Sequence, residues 1–374
     1  MSLPAGYLDQ LVDLAIQIQQ IPGPTFHESA RAEFILQLFI KEGLLDVERD
    51  PAGNVFGRFN HGSELTKPKA SPLIISAHLD TVFSIDTDLH INRQPNSVTG
   101  PGIGDNSMGV AALVGLARLL VARGTRLPGD VWLVANTAEE GLGNLRGMAS
   151  VVERFKDHAR GYVVLEGMGL GEIFHRGLAV ERYRLTVETA GGHSWIDFGR
   201  PSAVHEISRL ITSILDLPLP TDPRTSVNVG IVSGGTAINT IASHASLELD
   251  LRSEELVCLQ DLASQVEDLV LEANTPGVQV FSELIGQRPP GSIPADHWLV
   301  SLAERCLLEQ GITPVKAIGS TDANCPLSQG LPAICIGLTT GNGAHTLAET
   351  INLPPLAQGM EQLYQLVTRA WSPT

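Results

Sequence analysis

The chain has 374 residues, 43% of them hydrophobic and 18% charged, which allows a sizeable buried core and argues against disorder. Its 25 basic and 41 acidic residues give a net charge of −16, so neither nucleic acid nor anionic membrane is an expected partner. The length favours two domains.

Apolar spacing predicts helices over 7–21 and 27–43, separated by Pro22-Gly23-Pro24. Short strands follow at 46–50 and 54–59, and Pro72 to His78 is a buried-strand run. Residues 107–123 read as a strong helix ended by Gly124, followed by strands at 130–136 and 161–165. Alternating strands and helices of this kind predict a mostly parallel sheet covered by helices. From 182 to 190 the pattern alternates polar and apolar, as a half-exposed strand does. A helix at 202–216, strands at 225–232 and 244–252, a helix at 254–273 and a strand at 277–285 complete a ferredoxin-like β-α-β-β-α-β order. The α/β style resumes after Pro289-Pro290 with a helix at 296–310, strands at 313–318 and 332–338, and a last helix at 355–371. The expected fold class is therefore α/β with an inserted ferredoxin-like α+β domain. The boundaries are 1–178 with 290–374 for the larger domain and 179–289 for the insert.

His78 with Asp80, Asp105, Glu139-Glu140, Glu166 and His345 each follow an apolar run or sit in the loop after one. In open α/β sheets the carboxyl edge of the strands is where sites are built. Each residue has a bland rival reading: a backbone-satisfied histidine at 78, a helix cap at Asp105 or Asn106, solvated turns at 139–140 and 166, a loop histidine at 345. Their joint placement points to metal-ligand chemistry. Carboxylates and imidazoles without cysteine suit zinc, with cobalt or manganese as substitutes. A glutamate beside a metal-bound water is the usual general base of such a hydrolase. Two other motifs carry less. Ser194 beside His193 lacks the G-x-S-x-G elbow, and Gly100-x-Gly102-x-Gly104 has the wrong spacing for a dinucleotide fingerprint.

SAHLDTV at 76–82, GIGDNSMG at 102–109, TAEEGLG at 137–143, LEG at 165–167, GGHS at 191–194, GSTDAN at 319–324 and AHTLAE at 344–349 resemble the dinuclear-zinc exopeptidase and deacylase family over nearly the whole chain. That family includes carboxypeptidase G, peptidase T, acetylornithine deacetylase and succinyl-diaminopimelate desuccinylase. The resemblance implies two zinc ions bridged by Asp105, one completed by His78 and Glu166, the other by Glu140 and His345. It implies that Asp80 orients His78 and that Glu139 is the general base. It also implies that His193, from the inserted lid, polarises the scissile carbonyl, typically in the partner subunit of a homodimer formed through that lid. Asn239, Arg252, Thr321 and Asp322 fall where such enzymes place substrate-binding or pocket-lining groups, although Asp250 and Glu254 offer Arg252 an ion pair instead. Glutamate at 166 is more usual in carboxypeptidase and deacylase members, whereas GSTDAN and the lid pattern are nearer to peptidase T. Phe83 and Ser84 depart from the commoner proline.

The expected function is metal-dependent hydrolysis of a terminal peptide bond or an N-acyl amide of an amino acid or short peptide. The alternatives are a catalytically retired binding protein on the same scaffold, or a peptidase T-like aminopeptidase. Cys258, Cys306, Cys325 and Cys335 form no CxxC pair, so reduced thiols are expected. No secretory leader pattern is read at the N-terminus and no run is read as membrane-spanning. The expected location is the cytoplasm.

Overall fold

A computed structural model describes residues 3–59 and 70–372. The chain divides into two units, one made of Met1–Gly177 with Gly291–Thr374 and the other of Leu178–Pro290.

The first unit opens with α1 (Tyr7–Gln19) and α2 (Ser29–Lys41), then β1 (Leu45–Arg49), β2 (Val55–Phe59) and β3 (Ala70–His78). After the short β4 (Asn92–Gln94) and β5 (Ser97–Thr99) come α3 (Gly109–Ala122), β6 (Gly129–Asn136), α4 (Arg146–Phe155), β7 (Gly161–Glu166) and β8 (Glu172–Gly177). The second unit holds β9 (Ala179–Thr189), β10 (Gly192–His193), α5 (Ala203–Leu215), β11 (Thr225–Gly234), β12 (Thr240–Ile241), β13 (His244–Ser253), α6 (Leu256–Ala273) and β14 (Val278–Arg288). The chain then returns to the first unit through β15 (Gly291–Ser292), α7 (Trp298–Glu309), β16 (Val315–Gly319), α8 (Asn324–Ser328), β17 (Ala333–Gly337), β18 (Gly341–Asn342), β19 (Thr350–Asn352) and α9 (Leu356–Arg369).

The main sheet runs β1-β2-β6-β3-β7-β17-β8-β15, with β16 beside β8. Its centre, β6-β3-β7-β17, is parallel, so those four strands end on one edge. The flanks are antiparallel: β2 on β6, β1 on β2 and β8 on β17. Sequence patterning does not reveal β8, whose residues EIFHRG mix charge with apolar side chains. Only residues 167–171 separate it from β7, too few for the crossover that a parallel return needs. Also absent from the sequence reading is α4, which starts after two left-handed residues, Asn144 and Leu145. Gly147 lets this helix back directly onto the Thr137 carbonyl, where a Cβ has no room.

The apolar faces of α3 and the central strands form one continuous core. Ile103–Ala122 is, by length and composition, apolar enough to cross a membrane, which corrects the sequence reading. In the structure 78% of its most apolar window is buried inside the protein, as befits a core helix. Leu116 lies fully buried on α3. Leu116→Ala is expected to cost about 2–5 kcal/mol, read as a lowered urea midpoint with an unchanged slope.

In the second unit the sheet order is β11-β13-β9-β14, antiparallel throughout. With α5 and α6 packed on one face around their own apolar cluster, this is the ferredoxin-like arrangement. The small β10–β12 ladder pairs His193 with Thr240.

Candidate metal centre

The parallel strands deliver their chemistry to a common edge. His78 is the last residue of β3 and Glu166 the last of β7. Glu139 and Glu140 follow β6, and His345 follows β17 and β18. Asp105 lies ahead of α3, but neither it nor Asn106 caps that helix, whose first flanking residue is Met108 with no side-chain cap. Asp105 instead meets two imidazoles. Its Oδ1 is 3.1 Å from His78 Nε2, and its Oδ2 is 3.0 Å from His345 Nε2. Glu166 Oε2 stands 3.7 Å from His78 Nε2, and Glu140 Oε1 is 3.2 Å from His345 Nε2. The donor atoms fall into three overlapping groups, His78–Asp105–Glu166, Asp105–Glu140–His345 and His78–Glu139–Glu140, each able to hold an ion. Ligands about 2.0–2.1 Å from one tetrahedral ion stand about 3.3–3.4 Å from each other. The donor spacing therefore fits a cation in each of the first two groups, with Asp105 common to both.

His78 Nδ1 lies 3.0 Å from the main-chain oxygen of Asp80 and 3.5 Å from its carboxylate. The orienting contact expected of Asp80 thus comes first from its backbone. The carboxylate is aimed elsewhere: Oδ1 accepts the Glu139 amide at 3.0 Å, and Oδ2 accepts the Glu140 amide and the Thr25 hydroxyl, each at 2.9 Å. Burial opposes ionisation of Asp80, but His78 and the two amides outweigh it and hold its carboxyl below the ordinary value.

Several positioning groups went unread in the sequence. Glu349 accepts the amides of Gly104 and Asp105 at 2.6 and 2.8 Å, and burial lifts its carboxyl to about 7. Asn106 donates to the Leu165 carbonyl at 2.7 Å and accepts the Gly167 amide at 3.1 Å, bracketing Glu166. Gly109 is required there, because a Cβ would strike the Asn106 side chain. Glu28 accepts the Ala138 amide and Asn54 the Thr137 amide. His345 and Ala138 both adopt left-handed backbone, φ 64° and 56°, the kind of cost that surrounding structure must hold in place.

The proposed substrate residues are placed differently. Asp322 is fully buried; it accepts Asn136 Nδ2 at 2.6 Å, and burial with nearby Glu139 drives its carboxyl well above the usual range. Enclosed in this way it braces β6 rather than presenting a surface to a ligand. Thr321 is half-buried and its hydroxyl accepts the Ala323 amide at the start of α8. Arg252 Nε donates to Asp250 at 2.6 Å, so the ion-pair alternative is the one formed. Asn239, in the second unit, is exposed and its carbonyl accepts the Ser194 amide. His193 is exposed nearby, its Nδ1 accepting the amides of Trp195 and Ile196. That arrangement puts the proton of a neutral imidazole on Nε2, the tautomer able to donate outward.

The acids and imidazoles of this cluster shift one another's protonation. Burial opposes charge on His78, but Glu166, Asp105 and Asp80 together hold it protonated well above its ordinary pKa. Hydrogen bonds to Asp105 and Glu140 raise His345 to about 10. Burial raises Glu140 and Glu166. The histidine contribution to stability is present below the ordinary imidazole pKa and fades as pH rises toward 10. Glutamates with raised pKa values likewise lose stability above the ordinary carboxylate range. Cations that replace these protons bind better as pH rises. The metal-induced increase in Tm over chelated protein is therefore expected to be larger at about pH 8.5 than at about pH 6. An equal increase at both would contradict this proton linkage.

Known proteins share this architecture. A sequence model of peptidase family M20/M25/M40 matches residues 74–369. The acetylornithine deacetylase of Photorhabdus laumondii subsp. laumondii is 24% identical over 358 residues, covering 89% of this chain and 88% of that protein. A tripeptidase from Staphylococcus aureus superposes with a TM-score of 0.79 at 19% identity, covering 97% of this chain and 98% of that one. The Bacillus subtilis YXEP protein, described as a dinuclear metal-binding peptidase, does so with a TM-score of 0.67 at 17% identity and 98% coverage of both chains. With more than half its length matched by the family model and its acids and imidazoles gathered at one sheet edge, the chain belongs to peptidase family M20/M25/M40 and is a metal-dependent hydrolase of the peptidase and deacetylase kind.

Proposed function

We propose that this protein hydrolyses a terminal peptide bond or the N-acyl amide of an amino acid or short peptide, using two divalent cations. The observation that carries the reading is Asp105, whose two carboxylate oxygens each face a different imidazole at 3.1 and 3.0 Å. His78, Asp105 and Glu166 would hold one cation, and Asp105, Glu140 and His345 the other. The donor set of imidazoles and carboxylates favours zinc, with cobalt or manganese able to substitute. Such cations, when bound, supply Lewis-acid polarisation of the scissile carbonyl and of the attacking water.

The chain's own residues do the rest. Glu139 takes the proton of the attacking water and returns it to the leaving amine. Asp80 holds the Glu139 and Glu140 backbone and, through its carbonyl, the His78 ring. His193 is read as a donor to the developing oxyanion, supported by its outward Nε2 proton. A retired binding scaffold would lack a ligand or the base, and none of these residues is missing.

For substrate recognition, exposed Asn239 keeps its proposed role. Arg252, Thr321 and Asp322 do so only if their present partners are exchanged on binding. The second unit is read as the pairing element of a homodimer. Its edge strand β11 presents Ile231 and Val232 more than half exposed, and Trp195, Ile196, Phe198 and Ile238 are each at least 77% exposed, a combination that invites a second copy. Four free thiols suit a reducing cytoplasm.

Release of free amine from a panel of dipeptides, tripeptides and N-acyl amino acids, with added zinc or cobalt and a chelator control, tests the reaction. Chelator-sensitive cleavage confined to substrates with a free carboxylate supports a carboxypeptidase or deacylase. Cleavage of C-terminally blocked peptides supports an aminopeptidase. No turnover across the panel by metal-loaded protein would sink the reading. Light scattering at several concentrations tests the homodimer, which a constant monomer mass would exclude.

A further inference from the structure

Glu139 and Glu140 lie on residues 137–140, a segment outside any helix or strand. Its four successive amides are each received by a side chain from a distant part of the sequence. Asn54 Oδ1 accepts Thr137 N at 3.0 Å, and Glu28 Oε1 accepts Ala138 N at 3.0 Å. The two carboxylate oxygens of Asp80 accept Glu139 N and Glu140 N at 3.0 and 2.9 Å. A loop whose amides find no ladder would ordinarily turn to water; here it is gripped at every residue.

We propose that Glu28 is a positioning residue for the reaction, fixing Ala138 and through it the carboxylates of Glu139 and Glu140. The proposal rests on the roles given to those two residues above. Ala138 needs such a restraint, because its φ of 56° is a conformation that non-glycine residues rarely hold. Glu28 is itself buried, at a place where burial disfavours its charge. Besides the nearby amides of Glu28 and Phe26, the carboxylate receives Ala138 from 110 positions away, and that long-range bond ties the loop after β6 to the Glu28 segment.

The segment that carries Glu28 is anchored independently. The Thr81 amide donates to the Gly23 carbonyl at 2.9 Å, and the Thr25 hydroxyl donates to Asp80 Oδ2 at 2.9 Å. Arg31, almost wholly buried, donates to the carbonyls of Ile21 and Leu79 at 2.7 and 2.9 Å. Gly23 is obligatory beside it, since a Cβ would stand 2.6 Å from the Arg31 side chain. Residues 21–31 thus join the end of β3 to the loop after β6. All of them lie before the stretch, 74–369, that the family model matches, so this support of the loop comes from outside that stretch.

Hydrogen exchange of the whole metal-loaded protein, read by mass spectrometry over a peptide containing 137–140, is the first test. Protection comparable with β6 is expected; exchange at the rate of an open loop overturns the proposal without any variant. Glu28→Gln keeps an acceptor oxygen and is expected to hold both protection and kcat within about threefold of wild type. Glu28→Ala removes the acceptor and should lower kcat by about 10–100-fold with KM within about threefold, alongside faster exchange over 137–140. Wild-type exchange and kcat in Glu28→Ala, or an equal loss in Glu28→Gln, also overturn it. Should Glu28→Ala not fold, the wild-type protection and the Glu28→Gln result decide. If wild type itself shows no metal-dependent turnover, the functional reading fails, while the exchange arms still judge the positioning.

Discussion

Glu139→Gln is expected to lower kcat by about 10²–10⁴-fold, the range that a positioned proton-transfer group contributes, while metal content stays at the wild-type level. The side chain is buried and nearly isosteric with glutamine, so packing should survive. Its amide remains on Asp80, which fixes the backbone whatever the side chain carries. Glu139 is absent from the two donor groups that share Asp105, although it stands close enough to His78 and Glu140 to form a third. Proton transfer and ligation are thereby separable in one variant. Metal analysis beside a turnover assay reads both. Full activity would remove Glu139 from the mechanism, and loss of metal together with activity would make it a ligand.

The candidate ligand residues were legible in the sequence because of where hydrophobicity stops. LIISAH and YVVLE are buried strands whose last residues are polar, and a polar residue ending a buried strand of a parallel sheet is carried to the same edge as its neighbours. The ferredoxin-like order of the second unit was legible for the same kind of reason, since half-exposed strands alternate with a period of two. What sequence patterning could not show is which side chains receive the main chain. Glu28 meets Ala138 across 110 positions and Glu349 meets Asp105 across 244. Although Glu349 closes the AHTLAE motif, nothing local shows which amide either acid receives, because each answers a need created by the topology: Ala138 lies just past β6, and Gly104 and Asp105 lie just ahead of α3. The break at Pro22-Gly23-Pro24 is the one sequence feature that could have directed attention to the Glu28 segment. The surroundings of Arg252 and Asp322 were hidden for the opposite reason. The sequence left Arg252 open between a binding role and an ion pair and gave no sign of burial at Asp322; the fold shows Asp250 on the first and encloses the second.

Asp105→Asn should separate from Glu139→Gln by losing metal as well as activity. The substitution keeps the shape of the side chain and the bonds from the Gly104 and Asp105 amides to Glu349, so local structure has every reason to persist. It removes the negative charge and turns one of two accepting oxygens into an NH2 group, which faces an imidazole nitrogen as a donor and cannot ligate a cation. Whichever oxygen is lost, one of the two donor groups is broken, since His78 depends on Oδ1 and His345 on Oδ2. Bound metal is expected to fall from about two equivalents to about one or fewer, with turnover down by more than ~10²-fold, because loss of even an outer partner of a ligand costs about 10–100-fold. The protein should also lose most of the thermal stabilisation that added metal gives, since that stabilisation follows the affinity of the folded state for the ion. Two equivalents retained by Asp105→Asn would show that this carboxylate does not join the two sites. The bridge would then have to come from Glu139 or Glu140, the acids of the third donor group. One equivalent retained with near-normal turnover would instead reduce the working centre to a single cation, and the calorimetric stoichiometry of zinc binding to wild type would say which group holds it.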